Sequence, residues 1–106
     1  MIRIERTNKI DSNGSIQMNG KLLKVVVITK EKLSHVRVKL SSASGEVIVD
    51  DNLDHDKLRT VFYPRCVVSL DQYSSNLDYY YLAESIKVEL EGLGNDFIDD
   101  IIFYLE

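Results

Sequence analysis

The chain has 106 residues, of which 44% are hydrophobic and 28% are charged, and its formal net charge is −4. This length suits one domain with a modest core that needs no disulfide or metal, so we expect a single domain over residues 1–106. The composition excludes a disordered chain, and the negative charge argues against a general nucleic-acid binder, which needs a basic surface.

The charge is divided unevenly along the chain. Residues 1–40 carry nine Lys or Arg and three Asp or Glu, which gives +6, whereas residues 41–106 carry four and fourteen, which gives −10. Two interpretations are open. The two parts lie side by side and complement each other within one molecule, or a basic face of one copy meets an acidic face of the next and steers association.

No export or membrane segment is predicted. The first six residues already carry charges, and apolar runs such as Val25–Ile28 are too short to cross a bilayer. Cys66 is the only cysteine, so no internal disulfide can form and no Cys/His zinc pattern exists. We therefore expect synthesis in a reducing cytoplasm and no membrane partner.

Turn-like residues divide the chain into short pieces at regular intervals, as in β-sandwiches and barrels. The breaks are Ser12–Gly14, Asn19–Gly20, Ser41–Gly45, Asp50–Asp54, Tyr73–Asn76 and Gly92–Asp96.

In chain order, the first predicted strand places Ile2 and Ile4 between charged residues, which indicates one buried and one wet face. The next, Leu22–Ile28, is apolar on both faces, as is the last, Ile101–Leu105. Such strands are central in a sheet or are covered on the second face by something else.

The middle of the chain alternates more regularly. Val36, Val38 and Leu40 alternate with basic residues and run through a Gly-containing loop into Val47–Val49, which predicts a hairpin. Asp54–Val61 could hold a helical turn or a loop that leads into a strand.

A late segment continues the same period, with apolar side chains at every second position, namely Ile86, Val88 and Leu90. Together the patterns predict an all-β fold, a single antiparallel β-sandwich of the jelly-roll or immunoglobulin-like kind. We expect roughly seven to nine strands in two sheets and little helix.

Candidate catalytic and metal-binding residues are few. His35 has no Asp or Cys nearby in sequence that would complete a triad, so it is interpreted as a surface or interface histidine. His55 lies in the acidic loop Asp50–Asp56, whose oxygens could bind a hard cation, but the spacing differs from a calcium loop and the turn glycine is missing. A solvated loop is the expectation there, as it is for the second acidic group of Asp96, Asp99 and Asp100.

Cys66 follows Arg65 but has no evident acid–base partner, and it is predicted to begin a buried strand as a small apolar residue. Gly92–Gly94 lacks the third glycine and the helix of a phosphate loop, so it indicates a hairpin turn. We predict no catalytic residue, no cofactor, no metal and no small-molecule substrate, and therefore a protein that is not an enzyme.

Tyrosines give the strongest indication of a binding surface. Three are consecutive, so at least one must point away from the core if the segment is a strand. The alternating residues of the two-faced C-terminal strand also need a cover, which a neighbouring subunit would supply. The predicted interface consists of Tyr79, Tyr80, Tyr81, Ile102 and Tyr104. The alternative is that these tyrosines cap the rims of the sandwich.

From Gly45 onward the chain resembles small β-sandwich proteins encoded in phage and prophage structural-gene clusters, near the capsid and head–tail genes. In that family a Tyr-Pro-Arg segment precedes a variable loop, a strand of the I-x-V-x-L-x-G kind follows, and the chain ends on an apolar strand. The segments that carry the resemblance are Ser44–Val49, Val61–Arg65, Tyr81–Gly92 and Ile101–Glu106. Residues 1–40 add only a compatible strand pattern.

The resemblance implies a non-catalytic decoration, head–tail or tail accessory protein that is made in the cytoplasm and then joins the virion. Its partners would be further copies of itself and other virion proteins. The alternative function is a monomeric β-sandwich module that binds a glycan or a host protein.

Overall fold

A computed structural model describes residues 2–6, 10–69, 75–92 and 97–106. These residues form nine strands and no α-helix, which confirms the all-β expectation. The strands are β1 (Arg3–Arg6), β2 (Ser15–Thr29), β3 (Arg37–Ser42), β4 (Val47–Asn52), β5 (Arg59–Phe62), β6 (Cys66–Ser69), β7 (Ser75–Asp78), β8 (Tyr80–Glu91) and β9 (Ile98–Leu105).

Hydrogen bonds join seven of these strands into one antiparallel sheet in the order β1-β9-β2-β8-β3-β4, with β5 also paired to β2. The remaining two, β6 and β7, form a small separate hairpin. The structure therefore differs from the predicted pair of sheets, because it has one continuous seven-stranded sheet and a separate two-stranded hairpin.

The 15-residue strand β2 connects the two halves of this sheet. Its first part, Ser15–Leu22, pairs with β8, and its second part, Leu22–Thr29, pairs with β9. The register shifts between Leu22 and Lys24, which marks a bulge, and bulges bend a strand. Leu22 pairs with β8 and β9 at once, so these two strands lie on opposite edges of β2, and β5 occupies the same edge as β8.

The core lies on one side of this bent sheet. Ile16 from the first part of β2 and Val27 from the second belong to one buried cluster, together with Phe103 of β9 and Leu40 of β3. A flat sheet would leave that face in water. These residues are buried, so the chain itself covers this face of the sheet. We call the side away from the core the outer face.

Several predicted elements are present as expected. Val36, Val38 and Leu40 are buried, and β3 and β4 form the predicted hairpin, whose loop contains Gly45 at φ +96°. The two-faced strands β2 and β9 are interior strands with a neighbour on each edge. Asp54–Leu58 forms a loop that leads into β5, so the helical alternative for Asp54–Val61 is wrong.

Two expectations need correction. Asn19–Gly20 is not a break but lies inside β2, where Gly20 adopts φ +120°. Ile2 and Ile4 were expected on a half-buried strand, yet both are exposed. The reason is register: Arg3 and Glu5 pair with Leu105 and Phe103, which face the core, so Ile4 faces outward.

Replacing Gly20 by alanine is expected to cost more stability than replacing Gly45 by alanine. Both have positive φ, a strain of about 1–3 kcal/mol for other residues. A Cβ on Gly20 would also lie 2.6 Å from Arg3 Nη2 and 2.8 Å from the Glu106 carbonyl oxygen, whereas nothing lies within 4 Å at Gly45. Urea denaturation should show a further loss of about 1–3 kcal/mol at Gly20. Equal losses would mean that the close approach of Arg3 and Glu106 adds nothing.

Candidate interaction surface

The two halves of the sheet have outer faces of opposite character. In the half built from β8, β3 and β4, the outer face is a ladder of alternating charge. Lys39 lies between Asp50 and Glu89 on the neighbouring strands, and Arg37 pairs across from Glu91. Opposite charges directly across strands stabilise a sheet, so this face is satisfied by its own residues.

Arg37 on β3 and Asp50 on β4, which are diagonal neighbours in the register, form an ion pair. The guanidinium donates two hydrogen bonds to the carboxylate, from Nε to Oδ1 and from Nη2 to Oδ2 at 2.7 Å. The hydrogen bond from Arg37 and its positive charge together hold the pKa of Asp50 below its usual range. The same contact raises the pKa of Arg37.

Two further ion pairs join the basic first part of the chain to its acidic second part. Arg6 Nη1 lies 2.7 Å from Asp100 Oδ2, and Lys21 Nζ lies 3.4 Å from Glu106 Oε1. With Arg37 and Asp50, three contacts therefore connect the parts within one molecule. They favour the interpretation that the uneven charges complement each other intramolecularly.

The other half has an outer face that is apolar at its centre. The register places Ile4 of β1 opposite Tyr104 of β9, and it aligns Ile102, Val26 and Val61 across β9, β2 and β5. We call these five side chains the apolar outer face. Charged residues border it, namely Arg6, Lys24, Arg59 and Asp100.

Burial varies sharply within this face. Val26 is 0% exposed and Ile102 is 6% exposed, whereas Ile4 on the edge strand is 47% exposed. The expectation that Ile102 needs a subunit to cover it is therefore wrong in its premise, because the chain itself buries this residue. Its cross-strand neighbours are Val26 and Arg6, and an arginine stem can cover apolar surface. The uncovered part of the face lies at Ile4 and its half-buried neighbour Tyr104.

Two of the three consecutive tyrosines, Tyr79 and Tyr81, lie beside Lys21 of β2. Tyr81 points outward at 68% exposure, which confirms that at least one of the three faces away from the core. The half-buried Tyr79 ring lies 4.4 Å from Lys21 Nζ and 3.8 Å from the Arg65 guanidinium carbon. Such cations over a ring face are attracted by its quadrupole, so Tyr79 is held in place.

Lys21 links these tyrosines to the C-terminal strand. It pairs across from Tyr81 on one side and bonds to Glu106 on the other. Tyr104 has Lys24 Nζ 4.6 Å from its ring centroid. The structure thus brings Tyr79, Tyr81 and Tyr104 to the same side of the sheet.

Tyr80 departs from the predicted interface. It packs against the core, and its hydroxyl donates a hydrogen bond to the Val47 carbonyl at 3.4 Å. Burial, and secondarily the nearby Glu46, raises the pKa of the Tyr80 phenol. The physical reason is alternation: Leu82 and Ile86 face the core, so Tyr80 two residues earlier does as well.

The structure brings part of the acidic loop together. Ligand atoms of Asp54, His55 and Asp56 lie within 4.8 Å of one another at the surface. Asp54 accepts a hydrogen bond from the Asp56 amide at 3.0 Å, and Asp56 lies 3.4 Å from His55 Nε2. Asp50 is not part of this group and pairs with Arg37. These contacts are those of a turn that satisfies its own polar groups.

Both histidines border one shallow cleft, a proximity that the sequence did not predict. His35 precedes β3 at φ +61°, and it lines this cleft with His55, Ser34 and Leu53. The two histidines are close because His35 precedes β3 and His55 follows β4, and these two ends of the β3–β4 hairpin lie side by side. Both histidines are exposed, as expected for surface residues.

Cys66 begins β6 as predicted, but it is half-buried rather than buried. Its thiol lies within hydrogen-bonding distance of two carbonyl oxygens, 3.5 Å from Asp78 and 3.6 Å from Tyr79. In the second acidic group, Asp99 is exposed and Asp100 pairs with Arg6. Asp96, Tyr73 and the Leu93–Gly94 part of the predicted glycine turn lie outside the described residues.

No protein-family model, curated protein or solved structure matches the chain. Within the described ranges, no helix is long and apolar enough to span a membrane. The two outer faces and the residues that carry the sequence resemblance are therefore the features from which a function can be inferred.

Proposed function

We propose that this chain is a non-catalytic assembly protein that associates with further copies of itself through the apolar outer face. The observation that carries the proposal is Ile4, an apolar side chain 47% exposed on an edge strand and directly beside Tyr104. Contiguous apolar surface marks protein–protein contacts, and Ile4 is contiguous with Tyr104 and the apolar outer face, unlike a single scattered residue.

The charge arrangement supports an apolar rather than an ionic contact. Ion pairs between the two parts of the chain already use Arg6, Lys21 and Arg37 within the molecule. Assembly through an apolar contact should persist at moderate ionic strength, because salt screens charges and leaves hydrophobic burial intact.

The biological setting we propose is a phage or prophage particle, in which the chain serves as a decoration, head–tail or tail accessory component. Support comes from the resemblance carried by segments such as Val61–Arg65 and Tyr81–Gly92. Particle proteins meet identical neighbours repeatedly, so a small domain with a self-complementary surface suits that setting.

Exposed tyrosines favour one other function, a monomeric module that binds a glycan or a host protein. Tyr63 and Tyr81 are the most exposed aromatic rings of the described residues. An exposed tyrosine offers a flat apolar ring and one hydrogen-bonding group, which suits either ligand. This function becomes the better one if the chain does not self-associate.

Size-exclusion chromatography with light scattering tests the proposal. We expect the wild type to be oligomeric at micromolar concentrations and Tyr104→Asp to dissociate at least about tenfold more readily, since a contact would have to bury the new carboxylate. Lys24 beside position 104 should keep the variant folded. The matched control is Leu58→Asp at an exposed site in another region, which should assemble as the wild type does. A wild type that stays monomeric at high micromolar concentration, in low and moderate salt, contradicts self-association.

A further inference from the structure

The free edge of β1 defines how two copies meet. We propose that the β1 strands of two molecules pair antiparallel across a two-fold axis, with Ile4 of one copy opposite Ile4 of the second, so that their sheets become continuous. This inference rests on the proposed self-association and specifies its geometry.

β1 is the first strand in the sheet order, and among the described strands it pairs with β9 alone. Arg3, Ile4 and Arg6 are exposed along it. An edge strand presents a row of unpaired N–H and C=O groups that a second strand can satisfy. The opposite edge strand, β4, is also exposed at four of its six residues, but β1 carries Ile4, the exposed member of the apolar outer face.

The side chains of β1 select one register. For the faces of the two sheets to be continuous, residues that face outward must pair with residues that face outward. The possible antiparallel alignments of the two β1 strands therefore differ by steps of two residues. One such alignment opposes Arg3 with Arg3, and another opposes Glu5 with Glu5; both are repulsive. The alignment between them opposes Arg3 with Glu5 twice and Ile4 with Ile4.

That register also extends the apolar outer face. Ile4 lies beside Tyr104 in each copy, so the pairing forms one apolar row of Tyr104, Ile4, Ile4 and Tyr104 across both molecules. The exposed side chain that remained uncovered in the single chain is then covered by its own counterpart. A strand of four residues with both signs of charge fits a second copy of itself in particular, because the charges are self-complementary.

Cysteine cross-linking tests the geometry in a Cys66→Ser background, which removes the native thiol. Paired residues of antiparallel strands have Cα atoms about 4.5–5.5 Å apart, within the range a disulfide can bridge. Under a glutathione redox buffer, Ile4→Cys should form mostly linked dimers at concentrations where the wild type associates. Leu58→Cys is the matched control, with 48% exposure against 47%, and should stay largely unlinked.

A charge exchange tests the register independently. Arg3→Glu and Glu5→Lys should each lose self-association about tenfold or more, since like charges would then oppose each other. An equimolar mixture should form mixed dimers, because the first variant is acidic at both positions and the second is basic at both, so every cross-strand contact between them is complementary. Circular dichroism checks the fold of Arg3→Glu, whose native guanidinium bonds to the Asn19 carbonyl.

The results separate this geometry from the proposed function. An oligomeric wild type whose Ile4→Cys form does not link, or whose charge variants do not recover on mixing, overturns β1 pairing but leaves self-association intact. A monomeric wild type overturns both.

Discussion

Replacing Phe103 by alanine is expected to lower the free energy of unfolding by about 3–5 kcal/mol. Phe103 is fully buried in β9, an interior strand, and it lies opposite Val25 on β2. Removal of the ring loses its transfer free energy and leaves a cavity that neighbouring strands, fixed by hydrogen bonds on both edges, cannot close. A domain of this size has about 5–15 kcal/mol of stability in total, so the variant should be close to unfolding.

Urea denaturation followed by circular dichroism measures this loss. Val47→Ala is the control, because Val47 lies on the edge strand β4 and its side chain is exposed, so its truncation should change stability by about 0.5 kcal/mol or less. A loss below about 1 kcal/mol at Phe103, well under the usual range for such a truncation, would mean that the core does not pack tightly around this ring.

Alternation of apolar and polar residues was sufficient to predict most of the strands. Val36, Val38 and Leu40 face the core because their period of two matches the pleat, and a glycine at the turn fixed the hairpin. The two apolar runs correctly indicated interior strands, since only a strand with neighbours and covers on both sides tolerates apolar residues throughout.

The same period cannot say which face of a strand meets the core. Ile4 in β1 faces outward, because the pairing with β9 places Arg3 and Glu5 on the core side, and Ile2 just before the strand is exposed as well. The prediction of a break at Asn19–Gly20 was also wrong, since a glycine that permits a bend and a close contact inside a strand has the same local sequence as a turn. Both facts depend on residues distant in sequence.

The sequence predicted only part of the candidate surface, because the rest also depends on residues that are distant in sequence. The sequence required at least one of the three tyrosines to point outward, but only the register with Leu82 and Ile86 assigns Tyr80 to the core. Likewise, the uneven charge left two interpretations open. The strand order that places Lys39 between Asp50 and Glu89 could not be derived from composition.

Replacing Val26 by aspartate is expected to destabilise the chain by about 4 kcal/mol at neutral pH, although Val26 lies on the outer face. Val26 is 0% exposed, and its cross-strand neighbours on that face are Ile102 and Val61. Burial disfavours the charged form of the new carboxyl group, so its pKa in the folded state should rise by about three units, at about 1.4 kcal/mol per unit.

The sign of the pH dependence follows from that rise. Because the folded state would bind the proton more tightly than the unfolded state, whose aspartate pKa is about 3.9, the destabilisation is complete above the raised pKa. It should diminish as the pH falls toward the unfolded pKa, where both states are protonated. Urea midpoints of wild type and variant, compared from about pH 8 to about pH 4, should therefore converge on acidification.

Ile4→Asp is the control on the same face. At 47% exposure the new carboxylate can stay in water, so the single chain should lose about 0.5 kcal/mol or less, while its self-association weakens. Equal stability of Val26→Asp and Ile4→Asp would contradict a face that is closed at its centre and open at its edge. We therefore expect Val26→Asp to lose folding stability and Ile4→Asp to lose self-association. This contrast distinguishes a residue that the fold covers from one that a second copy covers.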